Sequence, residues 1–279
     1  MKHFTILALF SGALVWTGTP GFSRRAAPPP IFDVEVSQDF QWTGRLEMGQ
    51  TLELKGINGD IRAELADGDE VVVVAHKFGR RDYEESVVIE VVEHDGGVTI
   101  CAVYPSRRYG RRHGRESVCA PGREGRLSSH DNDVQVDFEA RIPAGINFVG
   151  KTVNGSIDAV SLDGDVFGYT VNGDVNIAAT GVAEAQTVNG SIDVRMGRAD
   201  WSGEMEFRTV NGSITLRFPD TFAAELRGET LNGSIESDFP ITIMGRFGPR
   251  RLSGVIGDGG GRLLNVETVN GSIRLLSSR

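Results

Sequence analysis

Apolar and polar residues alternate with a period of two along much of the chain. The alternating or β-branched segments are residues 31–38, 51–55, 60–65, 71–74, 86–93, 98–103 and 134–142. No stretch of about ten residues repeats its apolar positions with the helical period of 3.6. The pattern therefore predicts an all-β chain.

One hexapeptide recurs through this pattern. TVNGSI occupies residues 152–157, 187–192, 209–214 and 268–273, and near-copies occupy residues 57–61, 171–175 and 231–235. From Asn154 onward the asparagines follow at steps of 18, 17, 22, 21 and 38 residues. Because the last step is about two periods, we expect a degenerate copy near residues 254–261 (GVIGDGGG). Self-similarity at this spacing is typical of stacked repeat architectures.

Two folds are compatible with a repeated Asn-Gly pair. In an antiparallel β-meander it forms hairpin turns. In a single-stranded parallel β-helix, or β-solenoid, of roughly 20-residue coils it forms corners, because both residues accept left-handed backbone angles. The constant flanks favour the solenoid, with apolar pairs such as Val153 and Ile157, Val188 and Ile192, and Val210 and Ile214 stacking as core rows. The asparagines would then stack inward as a structural turn ladder. Its members would be Asn154, Asn172, Asn189, Asn211, Asn232 and Asn270.

The repeated T-[VL]-N-G-[SD]-[IV] pattern, which ends the chain as TVNGSIRL, resembles the bacterial exported β-strand-repeat proteins classed as "putative adhesins", a domain of unknown function. The resemblance covers most of residues 51–275, interrupted at residues 76–133. It implies a right-handed parallel β-helix-like stack without established catalytic activity. It also implies a structural or interaction protein of the cell envelope.

The N-terminus has the pattern of an export signal. A basic start is followed by an apolar run at residues 4–16 and by small residues before Arg24. A run this short is typical of a signal peptide rather than of a membrane span. We expect a signal peptide at residues 1–23, a proline-rich leader at 24–30 and a β-repeat domain at 31–279. The predicted location is the periplasm, the cell surface or the medium.

Export changes the interpretation of the two cysteines. Cys101 and Cys119 are the only pair in the chain. In an oxidising compartment they are expected to form a disulfide, which would close a loop of about 18 residues. A metal site is disfavoured, because two thiolates need further ligands and only His113 lies between them.

The loop at about residues 104–130 is rich in arginine. Residues 105–128 hold seven arginines and two glutamates, a net charge of +5 in a chain of net charge −9. Arginine forks suit phosphate or carboxylate, and an aromatic ring can stack on a ligand. The candidate binding residues for an anionic ligand are Arg107, Arg108, Tyr109, Arg111, Arg112 and Arg115. The partner would be an anionic envelope polysaccharide or another surface protein; alternatively, the loop neutralises the acidic flank of its own chain.

Other function classes have little support in the sequence. The negative net charge disfavours nucleic acid and anionic membranes. The chain has no H-E-x-x-H, G-x-S-x-G or P-loop motif, so we expect no catalytic residue, no cofactor and no metal. A polysaccharide-processing enzyme is the less favoured alternative, since aspartates such as Asp158 and Asp193 recur beside the motif. Other copies carry Asn176, Thr215 or Arg274 at that position, which breaks a carboxylate row. The Asn-Gly-Ser triplets match a glycosylation motif, but we interpret them as corners.

Overall fold

The computed structural model of the protein describes residues 40–79, 85–105, 117–129, 132–244, 248 and 250–278, and these contain strands and turns but no helix. The predicted all-β class is therefore confirmed. The strands are β1 (Phe40–Gly44), β2 (Thr51–Lys55), β3 (Ile61–Leu65), β4 (Val71–Phe78), β5 (Val88–His94), β6 (Gly97–Val103), β7 (Gln135–Ile142), β8 (Asn147–Lys151), β9 (Ile157–Leu162), β10 (Val166–Tyr169), β11 (Val175–Ala179), β12 (Ala183–Gln186), β13 (Ile192–Met196), β14 (Gly203–Arg208), β15 (Ile214–Phe218), β16 (Ala224–Asn232), β17 (Ile235–Ser237), β18 (Ile241–Ile243), β19 (Arg251–Ile256), β20 (Arg262–Asn270) and β21 (Ile273–Ser277).

The strands form two mixed sheets. Sheet A has the order β1-β4-β7-β3-β9-β11-β13-β15-β21-β17, and sheet B has the order β18-β19-β16-β20-β14-β12-β10-β8-β2-β6-β5. From β8 to β15, consecutive strands alternate between the two sheets, and each pairs in parallel with strands of its own sheet. An antiparallel meander would pair consecutive strands, so this part of the chain does not form one.

A rung of the molecule consists of one sheet B strand, a corner and one sheet A strand. The TVNGSI motif supplies the corner, as at residues 152–156 between β8 and β9. Side chains that point between the sheets form one apolar core, for example Leu52 and Phe148 from sheet B and Ile157 from sheet A. Stacked rungs bury continuous rows of such residues, which a single rung could not do alone.

In the TVNGSI corners only the apolar residue after glycine belongs to this core, whereas in the first corner both Ile57 and Ile61 are buried. Ile157 and Ile192 are buried, but Val153 is 38% exposed and Val188 lies on the same outer edge. The expectation that both positions form core rows is therefore wrong. The chain turns between the two positions. Val153 therefore lies on the outer side of the corner, whereas Ile157 is the first residue of β9 and points into the core.

The stacking order differs from the sequence order at the C-terminal end. β21 pairs with both β15 and β17, and β20 pairs with both β14 and β16. The rung of β20 and β21 therefore lies inside the stack, and the earlier rung of β16 and β17 lies beyond it. No rung forms at residues 254–261. This expectation is wrong because β19 pairs antiparallel with β16, and a turn at residues 257–261 returns the chain to β20.

The other end of the stack has a similar arrangement. β2 lies between β6 and β8, and β3 lies between β7 and β9, so a later rung again lies outside an earlier one. Antiparallel strands then cover the outermost rungs: β5 on β6, and β4 followed by β1 on β7. Such additions occupy edges that would otherwise remain open for pairing with another chain.

Candidate functional site

The asparagines of the corners form one ladder across the rungs. Each amide nitrogen donates to the amide oxygen of the preceding rung at 2.7–2.8 Å. In spatial order the ladder is Asn58, Asn154, Asn172, Asn189, Asn211, Asn270 and Asn232. Apart from the half-buried Asn58, these side chains are exposed, so the ladder runs along the outside of the corner and not inward as expected.

The other motif positions also bond from rung to rung. Threonine hydroxyls donate to a glycine carbonyl of the preceding rung, as Thr187 does to Gly173 at 3.0 Å. The serine or aspartate after glycine accepts a backbone N–H of the following rung, as Asp174 does from Ser191 at 2.7 Å. Glycine is required because a Cβ on Gly155 would collide with the carbonyl oxygen of Gly59.

Left-handed angles, expected at both corner residues, do not explain the asparagines. Among the described non-glycine residues only Ser161 has a positive φ. The asparagine is in the corner because its amide both donates and accepts along the stack.

The recurring aspartates are engaged in similar bonds. Asp158 accepts from the Asn176 amide at 2.7 Å, Asp165 pairs with Arg198 at 2.9 Å, and Asp193 pairs with Arg217. Within the described part of the chain, no group of three or more His, Cys, Asp or Glu side chains could hold a metal ion.

Sheet B carries a covered site on its outer face. Cys101 of β6 is bonded to Cys119, with Cα atoms 5.8 Å apart, which attaches residues 117–129 to the sheet. This attached segment closes on itself through a backbone pair between Val118 and Arg126. Arg107, Arg108, Tyr109, Arg111, Arg112 and Arg115 lie outside the described residues.

A buried ion cluster holds the attached segment in place. Lys55 donates to the carbonyls of Ala120 at 2.5 Å and Gly122 at 3.0 Å. Glu53 accepts the Gly122 N–H at 2.9 Å and the Lys151 ammonium at 2.7 Å. Glu53 and Lys55 are each only 5% exposed. Such a cluster requires the segment, because without it these charges would lose their backbone partners.

The cluster shifts the pKa values of Glu53 and Lys55. Burial alone would raise the pKa of Glu53, but the hydrogen bonds from Lys151 and Gly122 and the charges of Lys151 and Lys55 outweigh it and lower that pKa. Burial lowers the pKa of Lys55, with Glu53 opposing the shift. The carboxylate of Glu53 is thus the anion around which the site is built.

Beside the cluster lies an open groove of about 350 Å³. Val149, Phe167 and Tyr169 of sheet B form its floor, Pro121 and Gly122 of the attached segment form one wall, and His94 lies at its margin. The Lys151 ammonium is 5.8 Å from the centre of the Tyr169 ring. Apolar and aromatic surface with a few fixed polar groups is typical of a ligand site.

Two carboxylates that do not line the groove are connected to its residue Tyr169 through hydrogen bonds. The Tyr169 hydroxyl donates to Glu184 at 3.1 Å, and the Gln186 amide donates to Glu184 at 3.3 Å and to Glu206 at 3.1 Å. Burial raises the pKa of Glu184, and the neighbouring Glu206 charge adds to the shift. Burial and the Glu184 charge also raise the pKa of Tyr169.

A larger depression of about 500 Å³ lies on the outer face of sheet A. Its charged lining residues Arg62, Glu64, Glu139 and Arg141 are exposed, and among the described residues no disulfide attaches a segment over it. We therefore place the candidate site on sheet B.

Sequence reasoning found the disulfide but missed the rest of this site. Glu53, Lys55 and Lys151 occupy outward positions of alternating strands, where solvated charges are ordinary. The one sequence signal for this site was the pairing of Cys101 with Cys119. A disulfide between them brings the segment around Cys119 back onto β6, next to the strands that carry these charges.

Within the described residues no helix could cross a membrane. The disulfide is typical of an extracellular or envelope protein.

Comparison with known proteins gives similarity of structure only. No protein-family model and no curated protein matches the sequence. A "putative cell adhesion protein" from Clostridium sporogenes is similar at 11% identity and a TM-score of 0.39, over 86% of this chain and 100% of that one. A "putative adhesin" from Bacteroides fragilis is similar at 12% identity and a TM-score of 0.37, over 86% and 97%. A "putative lipid binding protein" from Parabacteroides distasonis has 10% identity and a TM-score of 0.25, over 86% and 94%. At these values function has to be argued from the geometry of the site.

Proposed function

We propose that this chain is an exported, non-enzymatic β-solenoid of the right-handed parallel type that acts by binding, as an adhesin-like protein of the bacterial envelope. The alternation of strands between two sheets and the unbroken asparagine ladder support the solenoid. Its contact surface is the Arg-rich stretch together with the groove on sheet B, and its ligand is an acidic polysaccharide.

The observation that carries this proposal is the fixation of both flanks of the Arg-rich stretch. On one side Tyr104 is buried, and its hydroxyl donates to the Val134 carbonyl at 2.8 Å. On the other side the Cys119 disulfide and the Glu53 and Lys55 contacts hold the attached segment. Fixing the base of a binding loop reduces the entropy that must be lost when a ligand binds.

The chemistry of the two parts fits a chain of charged sugars. Arginine forks bind carboxylates in a bidentate manner. The floor formed by Phe167 and Tyr169 offers apolar surface to sugar rings, and Lys151 in the same lining offers hydrogen bonds. A binding surface that combines both should prefer an acidic polysaccharide over a neutral one.

The test is binding of polygalacturonic acid, with dextran as the neutral comparison, at low and high salt. The first variant changes four loop arginines to serine: Arg107→Ser, Arg108→Ser, Arg111→Ser and Arg112→Ser. The control variant makes the same change in net charge on exposed arginines of sheet A: Arg62→Ser, Arg141→Ser, Arg195→Ser and Arg274→Ser. The loop variant should lose about tenfold or more in affinity and the control about twofold or less. Salt screens the attraction between the ligand and distant arginines, so only arginines next to the ligand should contribute strongly. Equal losses, or no salt-sensitive binding, would remove the loop from the proposal.

The adhesin-like role requires an accessible location. Protease treatment of intact cells, with lysed cells as the control, should cleave the mature chain before lysis. Protection until lysis would place the protein in the periplasm and leave only a role within the envelope.

The Glu184 and Glu206 pair favours a second candidate, a polysaccharide-processing enzyme on the same scaffold. A carboxyl with a raised pKa beside a second carboxylate is the arrangement of glycoside hydrolases. Release of reducing ends from polygalacturonic acid, abolished in both Glu184→Gln and Glu206→Gln, would establish it. Binding without release would leave the first proposal in place.

A further inference from the structure

The chain contains seven Asn-Gly pairs, and the structure places six of them in the same protected environment. In each of these the glycine N–H donates to an asparagine carbonyl of the next rung, at 2.8–3.1 Å. The six donors are Gly59, Gly155, Gly173, Gly190, Gly212 and Gly271. These bonds hold the backbone nitrogen away from the side chain of the preceding asparagine.

The seventh pair, Asn232 and Gly233, is at the end of the ladder. Gly233 stacks on the Gly271 carbonyl like the others, but its N–H has no hydrogen-bond acceptor among the described residues. The Asn232 amide donates to Asn270 at 2.8 Å, and no described rung follows that could donate to the Asn232 amide oxygen from the far side. Asn232 is exposed, and the adjoining Leu231 is 58% exposed. The opposite ladder end differs, because Gly59 N–H is bonded to Asn154 at 2.8 Å.

We propose that Asn232 is a site of spontaneous deamidation and that the other six asparagines are protected. The nitrogen of Gly233 loses its proton and attacks the Asn232 side-chain carbonyl carbon. A carbon–nitrogen bond forms, the side-chain amide bond breaks, and ammonia leaves. The resulting five-membered succinimide adds water at one of its two carbonyls and opens to aspartate or isoaspartate. Glycine favours the attack because it has no side chain to hinder it.

Deamidation at this position would act on the last rung. The amide that donates to Asn270 becomes a carboxylate, which can only accept, and so faces the Asn270 oxygen without a proton between them. Isoaspartate also inserts a methylene group into the backbone where β16 ends. The change therefore weakens the contact of the outermost rung with the rest of the stack and adds a negative charge there.

The experiment is site-resolved mass spectrometry of the full chain after incubation at mildly alkaline pH and body temperature. The same protein unfolded in urea is the control, and there the Asn-Gly-Ser sites should react alike because their neighbouring residues are the same. In the folded protein, Asn232 should deamidate at least about tenfold faster than Asn211 or Asn270, which must first break rung contacts. Asn58 distinguishes the effect of the free N–H from that of the ladder end. It is also the last asparagine of the ladder, but the N–H of the following Gly59 is hydrogen-bonded.

Slow reaction at Asn232 in the folded protein, with fast reaction in urea, would overturn the proposal. Equal reaction at Asn232 and Asn58 would also overturn it, because position at a ladder end rather than the free N–H would then be the cause. Neither outcome depends on what the protein binds.

Discussion

At the scale of single residues, each letter of the repeated motif makes a bond to the neighbouring rung. Threonine and asparagine donate backward, glycine donates forward, and serine or aspartate accepts from the next rung. The alternation of serine and aspartate at one position is explained by this, because both offer a side-chain acceptor. The motif recurs because the same bonds must be made at every step.

Thr187→Val tests the threonine bond. Valine keeps the shape of this buried side chain but cannot donate to the Gly173 carbonyl. The expected cost is about 1 kcal/mol in the free energy of unfolding, measured by chemical denaturation. Thr43→Val, at an exposed position of β1, should change stability by no more than about 0.5 kcal/mol. Equal effects would show that the hydroxyl bond contributes nothing.

Glu53 makes the ion cluster sensitive to acid. Its folded-state pKa lies below the usual 4.5, so its contribution to stability is present above that pH and is lost as pH falls through the folded-state value. Glu53→Gln should cost about 3 kcal/mol at neutral pH, the lower end for a broken buried pair, since Lys151 is partly exposed. Denaturation curves at neutral and acidic pH should also show a smaller loss on acidification in the variant. Glu93→Gln, an exposed change in β5, should keep the wild-type pH dependence; the same flattening there would contradict the assignment to Glu53.

At the scale of elements, the attached segment at residues 117–129 is held by two independent devices, the disulfide and the ion cluster. The disulfide constrains the unfolded chain, whereas the cluster acts in the folded state. The rungs beneath do not depend on either, because their bonds run from motif to motif.

The double change Cys101→Ser and Cys119→Ser separates these contributions. With a sequence separation of 18, the disulfide should contribute about 3 kcal/mol. Trypsin should then cut faster at Arg123 and Arg126, while peptides from β8 to β15 keep their resistance. General sensitivity across those strands would mean that the attached segment supports the whole stack.

The elements were easier to predict than their order. Alternation located β3 and β7, since half-buried strands leave that pattern. The corners, however, have nearly the same sequence, and any two of them could form the same bonds. The motif therefore does not predict which rungs are neighbours. The placement of Asn270 between Asn211 and Asn232 was therefore hidden in the sequence. The outward position of Val153 was hidden too, because apolar residues on both sides of a corner resemble two core positions.

At the scale of the whole molecule, antiparallel strands cover both sheets at one end of the stack and sheet B at the other. At the C-terminal end β19 and β18 extend sheet B, and an aromatic group of Trp201, Phe218, Phe222 and Phe239 fills the core. Among the described strands, β16 of sheet B and β17 of sheet A pair with the rest of the stack through β20 and β21.

Removal of residues 262–279 tests that attachment. An ordinary stack would lose only its last rung, but here β16 and β17 also lose a pairing partner, and β18 and β19 lose their connection to sheet B through β16. Hydrogen exchange should show loss of protection from residue 224 onward, and the fluorescence of Trp201 should shift toward that of an exposed indole. A chain ending at residue 223 should keep the same protected strands. Continued protection of β16 in the chain ending at residue 261 would contradict the observed strand order.

The interior position of β20 and β21 also sets an order of assembly in time. Neighbouring asparagines from Asn154 to Asn211 are 17–22 residues apart, but the contact of Asn211 with Asn270 spans 59 residues. The cost of closing a loop grows with its length, and distant contacts slow folding. During synthesis the middle rungs can form as they emerge, whereas β16 and β17 must wait for strands made after them. The C-terminal end of the stack can therefore be completed only after β20 and β21 have been synthesised.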